Sequence, residues 1–303
     1  MAKKTTIGGQ ALIEGIMMKG PSKLAMAVRK QDGEIAIKVV NIEDKFKRQN
    51  WMNLPIIRGS TALVESMKIG MEAILYSASF FEEESEPSWL SKKFGEKGEK
   101  FGEILMVLFS TALAVGLFMI LPTLIVSWLA PLGTTSFAKN LIEGLIRLII
   151  FFMYVGGISM LNDMKRLFSY HGAEHKTISC YENGCDLTVE EVRKYSALHP
   201  RCGTSFLFMV MLVSIVVLSF FGWPHPLLRF IIRIAMLPVI AGITYEINRW
   251  IGRSDNPIIC KLAYPGMMVQ RFATVREPDD SMIEVAIASL KAVLPEEGES
   301  DEW

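Results

Sequence analysis

The run ILMVLFSTALAVGLFMILPTLIVSWL, Ile104 to Leu129, contains no charged residue and is longer than the roughly 20 residues needed to cross about 30 Å of hydrocarbon. A helix facing water needs a polar side, and this one has none. The segment predicts a transmembrane helix and so a membrane protein. A polar stretch precedes it, which argues against a cleavable signal peptide. Pro122 lies within the run and predicts a kink that neighbouring helices accommodate.

Three further apolar stretches follow: about Leu141 to Leu161, Thr204 to Phe221, and, after the short turn Gly222-Trp-Pro-His-Pro226, about Leu227 to Ile247. The Gly156-Gly157 pair in the first of these lets a partner helix approach closely. Half of the residues are hydrophobic and the formal charge is zero, a composition unlike that of an average soluble domain. The expected fold class is a mainly α membrane protein with about four transmembrane helices and a small β-rich N-terminal cytoplasmic unit. The expected organisation is a β-rich unit over 1–58, an interfacial helix and charged linker over 59–103, a transmembrane domain over 104–247 with a loop at 162–203, and a C-terminal segment over 248–303.

Basic residues set the expected orientation, because cytoplasmic loops carry the excess of Lys and Arg. The 162–203 connection holds Lys165, Arg166, Lys176, Arg193, Lys194 and Arg201, whereas 130–140 holds only Lys139 and 222–226 holds none. Both termini and the central loop are therefore expected on the cytoplasmic side of a bacterial inner membrane. Arg229 and Arg233 would lie in the outer half of the fourth span, at the depth of Glu143 and Arg147 in the second. An ion-paired cluster is the expected arrangement, with a transport pathway as the alternative.

Ahead of the spans, Met26-Ala-Val-Arg-Lys30 and Glu34-Ile-Ala-Ile-Lys-Val39 read as strands around an Asp32-Gly33 turn. Gly8 to Gly20 (GGQALIEGIMMKG) reads as a further strand punctuated by glycines. Gly59 to Phe81 has helical periodicity interrupted by Glu65, Lys68 and Glu72, which suits an interfacial or packed helix. The charged stretch Glu82 to Glu103 reads as a linker or a frayed helix entering the first span. Near the C-terminus, Ser281-Met-Ile-Glu284 has the pattern of a capping box opening a helix to about Leu294. No phosphate-binding glycine loop and no basic cluster interleaved with aromatics is seen, so nucleic acid is not an expected partner.

The chemistry concentrates in SYHGAEHKTISCYENGC, Ser169 to Cys185, which holds two of the four histidines and two of the four cysteines. His171-Gly-Ala-Glu174-His175 matches H-x-x-E-H, an inverted zinc-peptidase pattern. Residues i and i+4 share a helix face, so two imidazoles can converge on one ion while the glutamate activates water. Gly172 is a poor helix former inside a motif that depends on helix. A third ligand is needed, and Glu246, at the cytoplasmic end of the fourth span, is the best placed. A second set competes in the same region: Cys180, Cys185, His199 and Cys202 could enclose a structural zinc. Packing or hydrogen-bonding roles without any metal are the third possibility. Cys202 beside His199 is a weaker candidate nucleophile.

The blocks IGGQALIEGIMMKG, YHGAEHKTISCYE, HPRCGTSFLF and YPGMMVQRFATVREPDDSMIEVAI together resemble the YqhQ-like family of bacterial membrane proteins, a domain-of-unknown-function family catalogued as predicted metal-dependent enzymes. The resemblance covers nearly the whole chain. It implies a role for His171, Glu174 and His175, with His199, Arg201 and Cys202 as a second block. Gln10, Glu14 and Arg58 stand in or near the N-terminal block without an assigned role, and Glu14, Arg58 and Arg201 form a further candidate polar site. The expected function is a metal-dependent membrane hydrolase using a divalent ion, zinc being the best match to these ligands. His171 and His175 would bind the ion, Glu246 or His199 would complete the set, and Glu174 would be catalytic. Its substrate would be a peptide or a membrane-associated amide or ester. A membrane adaptor with a structural metal or none, and a transporter, are the competing expectations.

Overall fold

The two central strands of the N-terminal sheet are buried on both faces, which is why their sequences run apolar instead of alternating. A computed structural model of the chain describes residues 3–42, 50–81, 95–129, 134–254, 256–296 and 298–302. Strands β1 (Gly8–Leu12), β2 (Gly15–Lys19), β3 (Lys23–Arg29) and β4 (Ile35–Asn41) form an antiparallel meander in sequence order. Gly8 to Gly20 is therefore a hairpin and not the single strand expected. Gly8 pairs with Lys19 and Leu12 with Gly15, and the turn between them carries Glu14 at φ +50°. The Asp32-Gly33 turn lies between β3 and β4 as expected, with Gly33 at φ +88°.

Helix α1 (Ile57–Ala78) covers one face of the sheet, with Ile69 and Ala73 packed on Leu12, Met17, Leu24 and Met26. Residues 82–94, most of the expected linker, lie outside the described residues. The other face, Ile16, Met18, Ala25 and Ala27, packs against α5 (Asn162–Glu182) and α11 (Asp280–Lys291). Ser289 of α11 donates from its hydroxyl toward the carbonyls of Ile16 and Ala25, so the buried hydroxyl is satisfied by the sheet itself. The stretches read from sequence as separate N-terminal, central and C-terminal pieces form one compact unit, residues 1–81, 155–210 and 237–303. Helix α11 is capped by Asp279, which accepts from the Met282 amide. Ser281, the expected cap, instead donates to Asp279.

The central segment 162–203 is largely helical. Helix α5 carries the whole H-x-x-E-H motif without a break, and α6 (Val189–Arg193) follows it, N-capped by Thr188. Gly172 is tolerated for a specific reason: a Cβ there would collide with the carbonyl oxygen of Arg276, and the Arg276 amide donates to the Phe168 carbonyl at 3.0 Å. The glycine exchanges about 1 kcal/mol of helix propensity for a close backbone crossing. Gly172→Ala is expected to destabilise the protein by about 1–3 kcal/mol through overpacking, read as a lowered thermal midpoint. An unchanged midpoint would remove this account of the glycine.

The second compact unit comprises 82–154 and 211–236. Among the described residues three helical segments are long and apolar enough to cross a membrane: Ile104–Leu129, Ser136–Ile158 and Pro226–Arg253. The fourth expected span corresponds to a shorter apolar helix, α7 (Gly203–Ser219). The first segment is built from α2 (Glu96–Val115), a π-helical turn at Gly116–Ile120 and α3 (Leu121–Leu129). The π turn stands immediately ahead of Pro122, so the wider turn absorbs a residue that cannot donate into an α ladder. Met106, Phe109 and Trp128 are exposed along this segment, as side chains facing lipid would be. Helices α4 (Ser136–Ile158) and α8 (Pro226–Arg253) complete the set, and Pro238 lies inside α8.

Candidate metal centre

The i, i+4 spacing on α5 places the His171 and His175 rings 4.3 Å apart between centroids. Each ring is oriented through Nδ1 by a backbone carbonyl: His171 bonds to Thr274 O at 2.8 Å and His175 to Ala197 O at 2.6 Å. A carbonyl can only accept, so both Nδ1 atoms carry the proton and both Nε2 atoms are left with a lone pair when the rings are neutral. Nε2 of His171 lies 3.1 Å from the Cys202 thiol sulfur, while Nε2 of His175 is buried without a hydrogen-bond partner. The three donor atoms lie within 4.8 Å of one another. Among the described residues this is the group of His, Cys, Asp and Glu whose geometry could hold an ion.

Glu174 lies between the two histidines in sequence and is buried. Its Oε1 accepts from the Gly9 amide at 3.0 Å, and its Oε2 has no hydrogen-bond partner. An orphaned carboxylate oxygen and an orphaned imidazole nitrogen in one buried site are what a cation-binding cage leaves when only the protein is considered. Burial raises the Glu174 pKa above its ordinary value, only partly opposed by the two histidines. Burial acts against charging Cys202 and His171 as well, but their mutual attraction prevails. His171 is pushed up to about 9 and the Cys202 thiol is held well below its usual range. Cys202 is thus biased toward the thiolate, the form that ligates metal or attacks carbon.

The loop that delivers Cys202 is clamped by a residue the sequence did not single out. Gln270 is fully buried. Its carbonyl oxygen accepts from the His199 amide at 3.1 Å, and its amide nitrogen donates to His199 O and Ser205 Oγ, each at 2.8 Å. Helix α10 (Tyr264–Val269) runs directly into a π turn at Gln270–Thr274, which presents both Gln270 and the Thr274 carbonyl to the site. Gln270→Ala strands the backbone groups it satisfies, at about 1–3 kcal/mol for each group left buried and unpaired. It is expected to lower metal affinity about 10- to 100-fold, as loss of an orienting group does. Competition with a fluorescent chelator reads this, and wild-type affinity in the variant would dismiss the clamp.

The remaining expected ligands go elsewhere. Glu246 forms a forked pair with Arg58, whose Nε donates to Oε1 at 2.6 Å and whose Nη2 donates to Oε2, so Glu246 does not join the histidines. His199 lies near the cluster, 5.6 Å from His175 between ring centroids, but its Nε2 faces Glu182 Oε2 at 3.4 Å and its Nδ1 accepts from the Arg201 amide. Arg201 also pairs with Glu182. Cys180 bonds to the Asp186 carbonyl and Cys185 to the Tyr195 hydroxyl, so the four residues of the expected structural set do not converge. Glu14 is held by Arg166 and the Tyr170 hydroxyl.

A cavity of about 250 Å³ opens onto the cluster, lined by Gly9, Gln10, His171, Glu174, Arg201 and Cys202 among others. A second cavity, of about 400 Å³, shares Ser66, Arg201, Cys202 and Gly203 with it and continues between Phe206, Tyr245, Ile251 and Ala263.

Residues 54–296 match the family described as "Protein of unknown function (DUF1385)". The chain is 33% identical over 305 residues to the "Uncharacterized protein YqhQ" of Bacillus subtilis (strain 168), a match covering 97% of this chain and 94% of that protein. No solved structure matches.

Proposed function

We propose that this chain, which belongs to the DUF1385 family of proteins of unknown function, is a metal-dependent hydrolase of the membrane. His171, His175 and Cys202 are its three ligands, and Glu174 is its general base. The observation that carries the reading is the pair of buried, unpartnered atoms, His175 Nε2 and Glu174 Oε2, beside a thiol biased toward thiolate. Three nitrogen and sulfur donors with a cavity at the remaining side fit a catalytic zinc site better than a closed structural one. Such an ion, when bound, supplies Lewis acidity and makes water a better nucleophile at neutral pH.

The chain's own residues do the rest. The carbonyls of Thr274 and Ala197 fix both imidazoles, and the Gly9 amide anchors one Glu174 oxygen so that the other is free to take a proton and return it. The 250 Å³ cavity admits the scissile group, and the adjoining larger one accommodates an apolar portion. An amide or ester attached to an apolar chain, presented at the membrane surface, suits this pair of cavities.

Orientation follows the same reading. Four crossings, with α7 as the third and both termini in the cytoplasm, accord with the basic residues of 162–203. They accord as well with a chain that leaves the first compact unit at 82 and 211 and re-enters it at 155 and 237.

A second reading has an observation of its own. The 3.1 Å contact between His171 and Cys202 is the geometry of a thiolate and imidazolium pair, with Cys202 as nucleophile and no metal. Metal analysis of the purified protein, with His175→Ala alongside, separates the two. The metal reading requires a stoichiometric ion, whereas the nucleophile reading requires none and an enzyme silenced by thiol alkylation.

A further inference from the structure

The apolar part of the second compact unit is unbalanced in charge. Across 104–154 and 211–236 the sequence has a single acidic residue, Glu143, against Lys139, Arg147, Arg229 and Arg233. Glu143 is fully buried and accepts from all three arginines: Arg147 at 3.0 Å and Arg233 on Oε1, and Arg229 at 2.6 Å on Oε2. One carboxylate cannot neutralise three guanidiniums, so two positive charges stand uncompensated within apolar helices. Unbalanced charge at such a depth is costly and marks a functional site by default.

The surrounding atoms hold the arginines in place without cancelling the excess. The π turn at Gly116–Ile120 frees carbonyls from its ladder, and Phe118 O accepts from Arg147 at 3.0 Å. The Thr123 hydroxyl lies 3.1 Å from Arg233 and 3.3 Å from Arg229. Trp223 stacks over the Arg229 guanidinium, 3.5 Å from the ring centroid, which limits how far that side chain can swing. Beside this cluster lies a cavity of about 160 Å³, with Arg229, Arg233, Thr123 and Ser127 as its polar lining and Met119, Leu124 and Phe230 among its apolar walls. Arg229 is in the first turn of α8 and Arg233 in the second. At about 1.5 Å of rise per residue both fall within roughly 10 Å of the helix end, the depth at which lipid phosphates meet acyl chains.

From this arrangement we propose that the cluster is a binding site for a phosphate-bearing anion, independent of the hydrolase reading. The guanidinium forks of Arg229 and Arg233 grip the phosphate oxygens, and the apolar walls accept any hydrocarbon that the phosphate carries. An anionic phospholipid headgroup and a free phosphate share this chemistry.

The test uses the full chain in neutral detergent, reading its thermal midpoint against added phosphatidylglycerol, phosphatidylcholine and inorganic phosphate. Phosphatidylglycerol is expected to raise the midpoint in a saturable manner, with phosphatidylcholine much less effective because its ammonium competes for the same phosphate. An equal rise with inorganic phosphate assigns the free anion as the source, and either result supports the site. No saturable rise with phosphatidylglycerol or phosphate overturns it. Arg229→Lys and Arg233→Lys retain the charge facing Glu143 but lose the fork, and each is expected to weaken the apparent affinity about tenfold. A response undiminished in both variants would place the anion elsewhere and overturn the proposal equally.

Discussion

Full-length protein purified in detergent is expected to carry about one divalent ion per chain, and His175→Ala to carry a background amount. The effect is large because the cage has only three protein donors, and removing one leaves two that cannot define a tetrahedral site. Cys202→Ala should behave in the same way, since its sulfur closes the triangle with the two Nε2 atoms. Cys180→Ala, Cys185→Ala and Glu246→Gln should retain the ion, because those side chains face Asp186, Tyr195 and Arg58 respectively. Elemental analysis by mass spectrometry reads all of these together. An ion lost on replacing Cys180 and Cys185 but kept without His175 would transfer the site to the cysteine set.

Replacing Glu174 by glutamine should lower hydrolysis of an amphiphilic ester or amide reporter by about 10²- to 10⁴-fold, the range for a lost general base. The ion should remain, because glutamine keeps a carbonyl oxygen for the Gly9 amide and the ligands are untouched. A pH profile adds a second reading. Burial raises the Glu174 pKa, and a base works only when ionised, so activity should climb with pH along an acid limb lying above the usual carboxylate range. Glu174→Gln with full activity and an unaltered limb would take the glutamate out of the chemistry.

Three of the four expected spans are legible in the sequence because apolar composition is a local property, readable one window at a time. The pairing of His171 with His175 is legible for a related reason, since i, i+4 proximity needs only a helix. What could not be read is long-range. Cys202 lies 31 positions from His171, and its grouping with Cys180, Cys185 and His199 suggests a structural zinc as readily as it suggests a place beside the histidines. Glu246 looks like an unexplained acid until Arg58 is seen across from it, 188 positions away in sequence. The hairpin at Gly8–Lys19 was hidden by burial of β2 on two faces, which erases the alternation that would have marked that strand. Gly172 is a hostile residue by helix propensity and a required one by packing, and only the path of the 275–278 segment decides which applies. Gln270 gave no local signal at all, because a glutamine reads as a surface residue until its three buried partners are known.

The site draws on Gly9 near one end of the chain, on His171 to Cys202 in the middle, and on Gln270 and Thr274 near the other. In order of synthesis, therefore, the apolar segments within residues 104–158 are complete long before Thr274, which supplies the last orienting carbonyl, is added. Contacts that span so much sequence are late and slow to form. Nascent and truncated chains would thus hold their histidines and thiol in a loose, unclamped state, and competence would arrive in one late step, with the docking of the C-terminal segment on α5.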